Sequence, residues 1–348
     1  MKYLNLQKHK FGSKKSIIYC SFIFIFFCIF FSLTKITTEI ASGLKVNELK
    51  LEIGSEQNFQ NIFYEKFVFE VYKNLIENRT FENFNKGHER HKLRWSYRYL
   101  EYKWYNILFD LSNSKILSFY TLTNTIYIFL SFLFIFLTLK TNHHLTLVQS
   151  LFIPGMIFYG LFCLLITNGY QSIYTFPEVC FISMGIFFSK TKKFYLFMIP
   201  LILAVLNRES GIALSLVYII FNHREKKAYI LPIISVLALL AINFDLITNH
   251  NLYKIQNYIP INEDFGHNYS KSELIFSLVF FLNFIFVLSI CLFDNTEFEI
   301  KLLSITIIFF LVRLFGTTLT DNFNLILSLP ALTCLLTLKC MKFYNKKK

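Results

Sequence analysis

The sequence lacks the short motifs that mark the common soluble enzyme classes. It contains no GxxxxGK[ST] phosphate-binding loop, no dinucleotide-binding GxGxxG, no HExxH zinc motif and no GxSxG nucleophile elbow. None of its seven cysteines forms a CxxC pair, so the sequence indicates neither a disulfide framework nor a cysteine-ligated metal site. Chemistry of those usual kinds is therefore excluded, and any site must be built from other residues.

Acidic residues are also scarce, with 22 Asp and Glu against 35 Lys and Arg and a net charge of +13. The basic residues are mostly dispersed in short loops, so the excess indicates membrane topology, and we expect no nucleic-acid partner. Hydrophobic residues, by contrast, make up 54% of the 348 residues and include 43 Phe. A soluble domain would expose too much of that surface. The composition predicts an all-α, polytopic integral membrane protein.

Ten apolar runs of helical length organise the chain: residues 16–34, 113–139, 145–167, 173–189, 194–206, 211–221, 228–247, 273–292, 300–319 and 323–339. Counting from a cytoplasmic N-terminus, three of the five returning segments are clearly basic and one, near Asp294 to Lys301, is mixed. This asymmetry predicts cytoplasmic termini and an inner-membrane location in a bacterium. We expect one membrane domain: a first transmembrane helix 16–34, an outer loop 35–112, a transmembrane bundle 113–339 and a basic cytoplasmic tail 340–348.

The outer loop 35–112 has internal order of its own. Apolar residues recur at helical spacing between Phe59 and Ile76, with charged residues between them, which predicts an amphipathic helix on the membrane surface or on top of the bundle. The segment His88–Glu101 then concentrates basic and aromatic side chains. Arginines in such a mixture suit an anionic head group. The alternative is a belt that only anchors the loop to the membrane.

A polar turn, Leu206–Gly211, separates two short apolar runs. The runs 194–206 and 211–221 reach only about 20 Å and about 17 Å, against roughly 30 Å of hydrocarbon. Arg208 and Glu209 are therefore expected below the outer membrane surface or in a cavity open to it. Ionisable residues at that depth indicate a functional site, and a structural ion pair that closes a helical hairpin is the alternative.

The same topology count places the other uncommon polar residues on the outer face. Glu178 lies near the outer end of the fourth helix, Arg313 lies one or two turns inside the ninth, and Asp321 lies between the ninth and tenth. Carboxylates can act as general bases toward a hydroxyl or amine, and arginines can hold a phosphate leaving group. We therefore predict an outward cavity with Glu178, Glu209, Arg313 and Asp321 as its supporting residues.

This architecture, with three short motifs, resembles the GT-C superfamily of polyprenyl-phosphate-dependent glycosyltransferases, in particular loosely characterised bacterial members. The motifs are the basic and aromatic element Trp95–Leu100, the Arg-Glu-Ser turn Asn207–Ser210, and the acidic-polar turn Asp321–Asn324 before a last helix that contains Pro330. The resemblance implies transfer of a sugar from a polyprenyl-phosphate donor to an envelope glycan or lipid acceptor on the outer membrane face.

The resemblance also implies roles for individual residues. A first-loop acidic residue is the usual catalytic base, for which Glu56 is the closest match and Glu39 the second; many relatives carry Asp there, whereas this chain has no Asp before Asp110. The donor phosphate falls to Arg94, Arg98 or Arg208. No metal site is assigned, and a requirement for a divalent metal stays open, as do the sugar and the acceptor.

Two other functions fit part of the pattern. An O-antigen polymerase or related polysaccharide-assembly protein also uses outward arginines, but its large outer loop is expected late in the chain. A transporter is expected to show repeat symmetry between its halves, which this sequence lacks, although the short runs 194–206 and 211–221 resemble broken helices. A non-catalytic membrane scaffold is the remaining alternative.

Overall fold

The computed structural model describes residues 25, 28–29, 116–141, 148–166, 175–207, 209–242, 285–316 and 326–346. Within these ranges the chain is helical and contains no β-strand, so the all-α prediction is confirmed for them. Of the first predicted helix, residues 25, 28 and 29 are described, and they are helical. The predicted outer loop 35–112 and its amphipathic helix lie outside the described residues.

Eight longer helices run through the described ranges. They are α1 Ile116–Lys140, α2 Ile153–Ile166, α3 Thr175–Lys190, α4 Phe194–Asn207, α5 Ala213–Asn222, α6 Ile230–Ile242, α7 Glu297–Gly316 and α8 Leu329–Lys346. A π-helical turn, Val148–Phe152, precedes α2, and 3-10 turns occupy Glu209–Ile212 and Lys226–Tyr229. Residues 285–291 are also helical, and a 3-10 turn at 326–328 leads into α8.

Only one described segment has both the length and the apolar composition to cross a bilayer. It is Ile326–Tyr344, and 72% of its apolar stretch is buried within the protein. Shorter apolar helical segments, each of 10–17 residues, are Thr125–Lys140, Gln149–Leu161, Phe194–Asn207 and Ser210–Asn222. Because a buried core helix of a soluble protein has the same properties as a single buried span, the ten-helix membrane architecture stays a prediction.

Ring contacts show the relative directions of several of the described helices. α1 and α3 run parallel, because Tyr127 meets Phe181 with ring centroids 6.5 Å apart and Phe134 meets Phe187 at 5.6 Å further along both helices. α4 turns back along α3, and α5 turns back along α4. The contact between Phe197 and Tyr218, 4.9 Å between centroids, joins α4 to α5 near the start of one helix and the end of the other.

The connections predicted to be cytoplasmic meet at one end of the bundle. Asn222, the last residue of α5, donates from Nδ2 to the carbonyl of Ser189 at the end of α3 over 2.8 Å. The ammonium of Lys190 lies 4.3 Å from the ring centroid of Phe298 in the first turn of α7. We call this the basic end: residues 189–194, 222–229, 292–301 and 338–346. The opposite end, which contains the start of α3 and the turn Glu209–Ile212, is called the turn end.

Helix α8 continues beyond the last predicted apolar run. That run ends at residue 339, whereas α8 continues to Lys346 and so includes the first residues of the predicted basic tail 340–348. The reason is tertiary: the ammonium of Lys342 pairs with Glu299 over 2.6 Å and donates to the carbonyl of Asp294 over 2.7 Å. Lys339 donates to the carbonyl of Phe293. These bonds hold the last turns of α8 against the start of α7.

Some buried hydroxyls bond within their own helix and so do not interrupt it. Ser183 donates to the carbonyl of Val179 over 2.8 Å, and Thr306 donates to that of Leu302 over 2.9 Å. Such i−4 bonds satisfy a hydroxyl where no water reaches it. The core around them is mainly aromatic and branched aliphatic, with Phe132, Phe158, Phe176, Phe197 and Phe309 fully buried.

Candidate functional site

The turn between α4 and α5 folds back tightly onto α4. The chain leaves α4 at Asn207, forms the 3-10 turn Glu209–Ile212, and enters α5 at Ala213. Gly211 lies against the backbone of Ala204, so closely that a Cβ at Gly211 would be under 3.0 Å from that backbone. Only glycine fits here. The 3-10 turn Glu209–Ile212 is therefore fixed against the last turn of α4.

Ser210 joins this turn to the start of α3. Its hydroxyl donates a hydrogen bond to Oε1 of Glu178. Glu178 lies in the first turn of α3, one residue after Pro177, and is 1% exposed. Proline is tolerated in a first turn because the amide there has no helical partner, and a carboxylate in a first turn is favoured by the helix dipole. The local sequence therefore explains why α3 begins here and why its first turn contains an acidic residue.

The burial of Glu178 makes its partners energetically important. A buried carboxylate without hydrogen bonds costs several kcal/mol or takes up a proton. Ser210 is one partner of this group, and it is supplied by a segment 32 residues later in the chain. Asn207, at the end of α4 and 0% exposed, adds a second buried polar side chain at the base of the same turn. The turn end thus concentrates buried polar groups between α3, α4 and α5.

The structure places the backbones of two further predicted residues relative to this contact. The backbone of Glu209 lies in the 3-10 turn, directly before Ser210. Arg313 falls in the last turn of α7, and since α7 begins at the basic end, its backbone lies at the turn end. Glu178 and Ser210 are therefore in contact, and the backbones of Glu209 and Arg313 lie at the same end of the bundle. The outward cavity itself stays a prediction.

The remaining predicted site residues lie outside the described residues. They are Glu39, Glu56, Arg94, Arg98, Arg208 and Asp321. In the part of the chain that the structure describes, no group of three or more His, Cys, Asp and Glu side chains has the arrangement of a metal site.

Sequence reasoning missed a second buried carboxylate, Glu299 at the basic end. It is 1% exposed, pairs with Lys342 over 2.6 Å, and accepts the backbone N–H of Thr296 over 2.7 Å. Burial alone raises its pKa, but the hydrogen bonds from Lys342 and Thr296 lower the pKa of Glu299 below its usual range. The spacing Thr296-x-x-Glu299 is a capping box and signals the helix start, whereas nothing local points to Lys342.

Comparison with known proteins leaves the family open: the chain matches no protein-family model, no curated protein and no solved structure. The resemblance to the GT-C superfamily therefore rests on the architecture and the three motifs of the sequence. Of those motifs, the Arg-Glu-Ser turn falls largely within the described residues, and it carries the contact between Ser210 and Glu178.

Proposed function

We propose that this chain is a polytopic membrane glycosyltransferase of the GT-C type. It moves a sugar from a polyprenyl-phosphate donor to an envelope glycan or lipid acceptor on the outer face of the membrane. The observation that supports this is the hydrogen bond from Ser210 to the buried Glu178. It holds the Arg-Glu-Ser turn against α3 at the end of the bundle opposite the lysine-rich connections.

In the proposed reaction, Glu56, or Glu39 in its place, accepts the proton of the acceptor hydroxyl as its oxygen bonds to the anomeric carbon. The bond from that carbon to the phosphate oxygen breaks, and the lipid phosphate leaves with the electron pair. Arg94, Arg98 and Arg208 stabilise the charge on the leaving phosphate. Glu178 acts as a positioning residue: through Ser210 it fixes the turn that carries Arg208.

The proposal includes ten membrane-spanning helices with both termini cytoplasmic and the turn end facing outward. Cys340 tests this orientation, because it is an exposed thiol at the basic end. In sealed right-side-out vesicles, we expect a membrane-impermeant maleimide to label Cys340 only after permeabilisation, as read by peptide mass spectrometry. Labelling of Cys340 in intact vesicles would contradict the orientation.

The enzymatic test uses the purified full chain and a panel of radiolabelled polyprenyl-phosphate sugars. Wild-type protein is expected to transfer sugar from at least one donor, and Glu56→Gln and Arg208→Ala are each expected to lower kcat by about 100-fold or more. Glu297→Gln is the matched control: it makes the same carboxylate-to-amide change at an exposed position of the basic end. Its kcat is expected to equal that of wild type.

Each failure of this test has its own meaning. Wild-type activity with unimpaired Glu56→Gln keeps the reaction class but moves the base to Glu39 or another residue. Full activity in Arg208→Ala removes the mid-chain turn from the donor site. No transfer from any donor overturns the proposal and favours a polysaccharide polymerase or a transporter.

A further inference from the structure

An exposed apolar surface covers one side of the helices α4 and α6, which contact each other. Ile199 and Ile202 on α4, and Ile230, Ile233, Leu237 and Leu240 on α6, are each 42–59% exposed. Their spacing of three to four residues places them on one side of each helix. We call this surface the α4–α6 face. Soluble monomers rarely expose contiguous apolar patches larger than a few hundred Å².

The α4–α6 face ends in aromatic rings at the basic end of the bundle. Tyr195, in the first turn of α4, is 85% exposed, and Tyr229, directly before α6, is 53% exposed. The hydroxyl of Tyr229 donates to the carbonyl of His223 over 2.9 Å. The ammonium of Lys227 lies 5.0 Å from the ring centroid of Phe194, so the two loops before α4 and α6 adjoin.

Three exposed lysines lie beside these rings. Lys192 and Lys193 lie in the loop before α4, and Lys226 begins the 3-10 turn before α6. Among the described residues, none of these three ammonium groups has an acidic or hydrogen-bonding partner, whereas the neighbouring Lys227 pairs with Glu225 over 3.3 Å. We call Lys192, Lys193 and Lys226 the lysine rim.

The order along this surface is apolar, then aromatic, then cationic. That is the order of groups met on passing from the acyl chains through the interface to the head groups of an anionic leaflet. We propose that the lysine rim binds the phosphates of anionic phospholipids whose acyl chains lie on the α4–α6 face. This rests on the proposed membrane architecture and adds to it a lipid partner and its contact residues.

Other occupants fit these observations less well. A second copy of the chain would bring its own lysine rim against the first if the faces packed side by side, and like charges repel. Free inorganic phosphate would engage the rim but would leave the apolar face uncovered. An anionic phospholipid satisfies both parts of the surface at once, because one molecule carries the charge and the apolar chains together.

The test measures lipid binding through thermal stability of the full chain in a neutral detergent. Short-chain phosphatidylglycerol is titrated beside phosphatidylcholine of the same chain length. Wild-type protein is expected to be stabilised by phosphatidylglycerol at concentrations at least tenfold below those of phosphatidylcholine. In the variant Lys192→Gln/Lys193→Gln/Lys226→Gln, the half-saturating concentration of phosphatidylglycerol is expected to rise by roughly tenfold.

The matched control removes the same number of charges elsewhere: Lys346→Gln/Lys347→Gln/Lys348→Gln is expected to keep the wild-type concentration. Lys192 has a φ of 55°, so if the triple variant is unstable without lipid, Lys193→Gln/Lys226→Gln gives the same comparison with that backbone untouched. The proposal is overturned by an equal response to both lipids, by an unchanged response in the rim variants, or by equal stabilisation with inorganic phosphate.

The lipid test can fail without the transferase failing, and the reverse also holds. The thermal shift does not depend on sugar transfer, so an active enzyme with no lipid preference overturns only the lipid site. Release of the protein from membranes by alkaline carbonate without detergent would instead overturn the membrane architecture on which both proposals depend.

Discussion

The hydroxyl of Ser210 donates a hydrogen bond to the carboxylate of Glu178, across 32 residues of sequence. Ser210 belongs to the turn between α4 and α5, and Glu178 belongs to the first turn of α3. The bond therefore ties three helices together at the turn end. Its two partners can be removed separately or together, which makes its coupling energy measurable.

We predict that Ser210→Ala lowers the free energy of unfolding by about 1–3 kcal/mol, because a buried acceptor loses a donor. The double variant with Glu178→Gln is expected to show a coupling of about 0.5–3 kcal/mol in a double-mutant cycle. Thermal unfolding in detergent is the measurement. Ser304→Ala is the control, since that exposed hydroxyl bonds only within α7. Strict additivity of Ser210→Ala and Glu178→Gln would contradict the contact.

A second prediction concerns the close approach of Gly211 to Ala204. Gly211→Ala places a methyl group under 3.0 Å from the Ala204 backbone, so the turn must move and stability falls by about 1–3 kcal/mol. Gly160→Ala is the matched control, because a Cβ at Gly160 meets nothing within 4 Å. That control is expected to be neutral or stabilising by up to about 1 kcal/mol, from helix propensity. Equal melting temperatures for the two variants would count against the described turn.

A third prediction concerns the pair of Glu299 and Lys342. Glu299 is 1% exposed and Lys342 is 34% exposed, so water partly screens the pair. Glu299→Gln is therefore expected to cost about 1–3 kcal/mol, less than a fully buried pair. Glu297→Gln, which removes an exposed pair with Lys301 in the same helical turn, is expected to leave the melting temperature unchanged. If Glu299→Gln and Glu297→Gln change the melting temperature equally, burial does not determine how much an ion pair contributes to stability.

A fourth prediction follows from the lowered pKa of Glu299. Its folded-state pKa lies below the usual 4.5, so the folded protein holds this proton less tightly than the unfolded chain does. The stabilisation is then complete above pH 4.5 and is lost as pH falls through the folded-state pKa. Melting temperatures of wild type and Glu299→Gln, measured from pH 7 to pH 3, are expected to converge in acid. A constant difference would show that Glu299 does not titrate in this way.

The helices themselves were largely predictable from the sequence. The predicted run 194–206 corresponds to α4, Phe194–Asn207, because lysines precede the run and the Arg-Glu-Ser turn follows it. The end of α8 was not predictable by the same means. Its apolar run stops near residue 339, but the helix continues because Lys342 bonds to α7. The local composition does not indicate that contact.

The sequence could indicate at which end of the bundle a residue lies, but not which side chain it bonds to. Counting helices assigned Glu178 and the mid-chain turn to one face, and the described structure brings them into contact through Ser210. The Arg-Glu-Ser motif includes Ser210, but its contact with Glu178 was not predicted, because a side-chain pair between distant segments leaves no periodic signal. Glu299 differs, because its capping box with Thr296 is a local pattern that can be recognised in the sequence. Its pairing with Lys342 cannot be recognised in this way.

The pair of Glu299 and Lys342 also bears on how the chain is made. Lys342 follows Glu299 by 43 residues, which is roughly 2 to 9 seconds of synthesis at typical rates. Until Lys342 has been synthesised, Glu299 lacks the countercharge that it has in the folded chain. The start of α7 is completed only when the last turns of α8 arrive, so we expect these two helices to acquire their native state together, as one cooperative unit formed late in biogenesis.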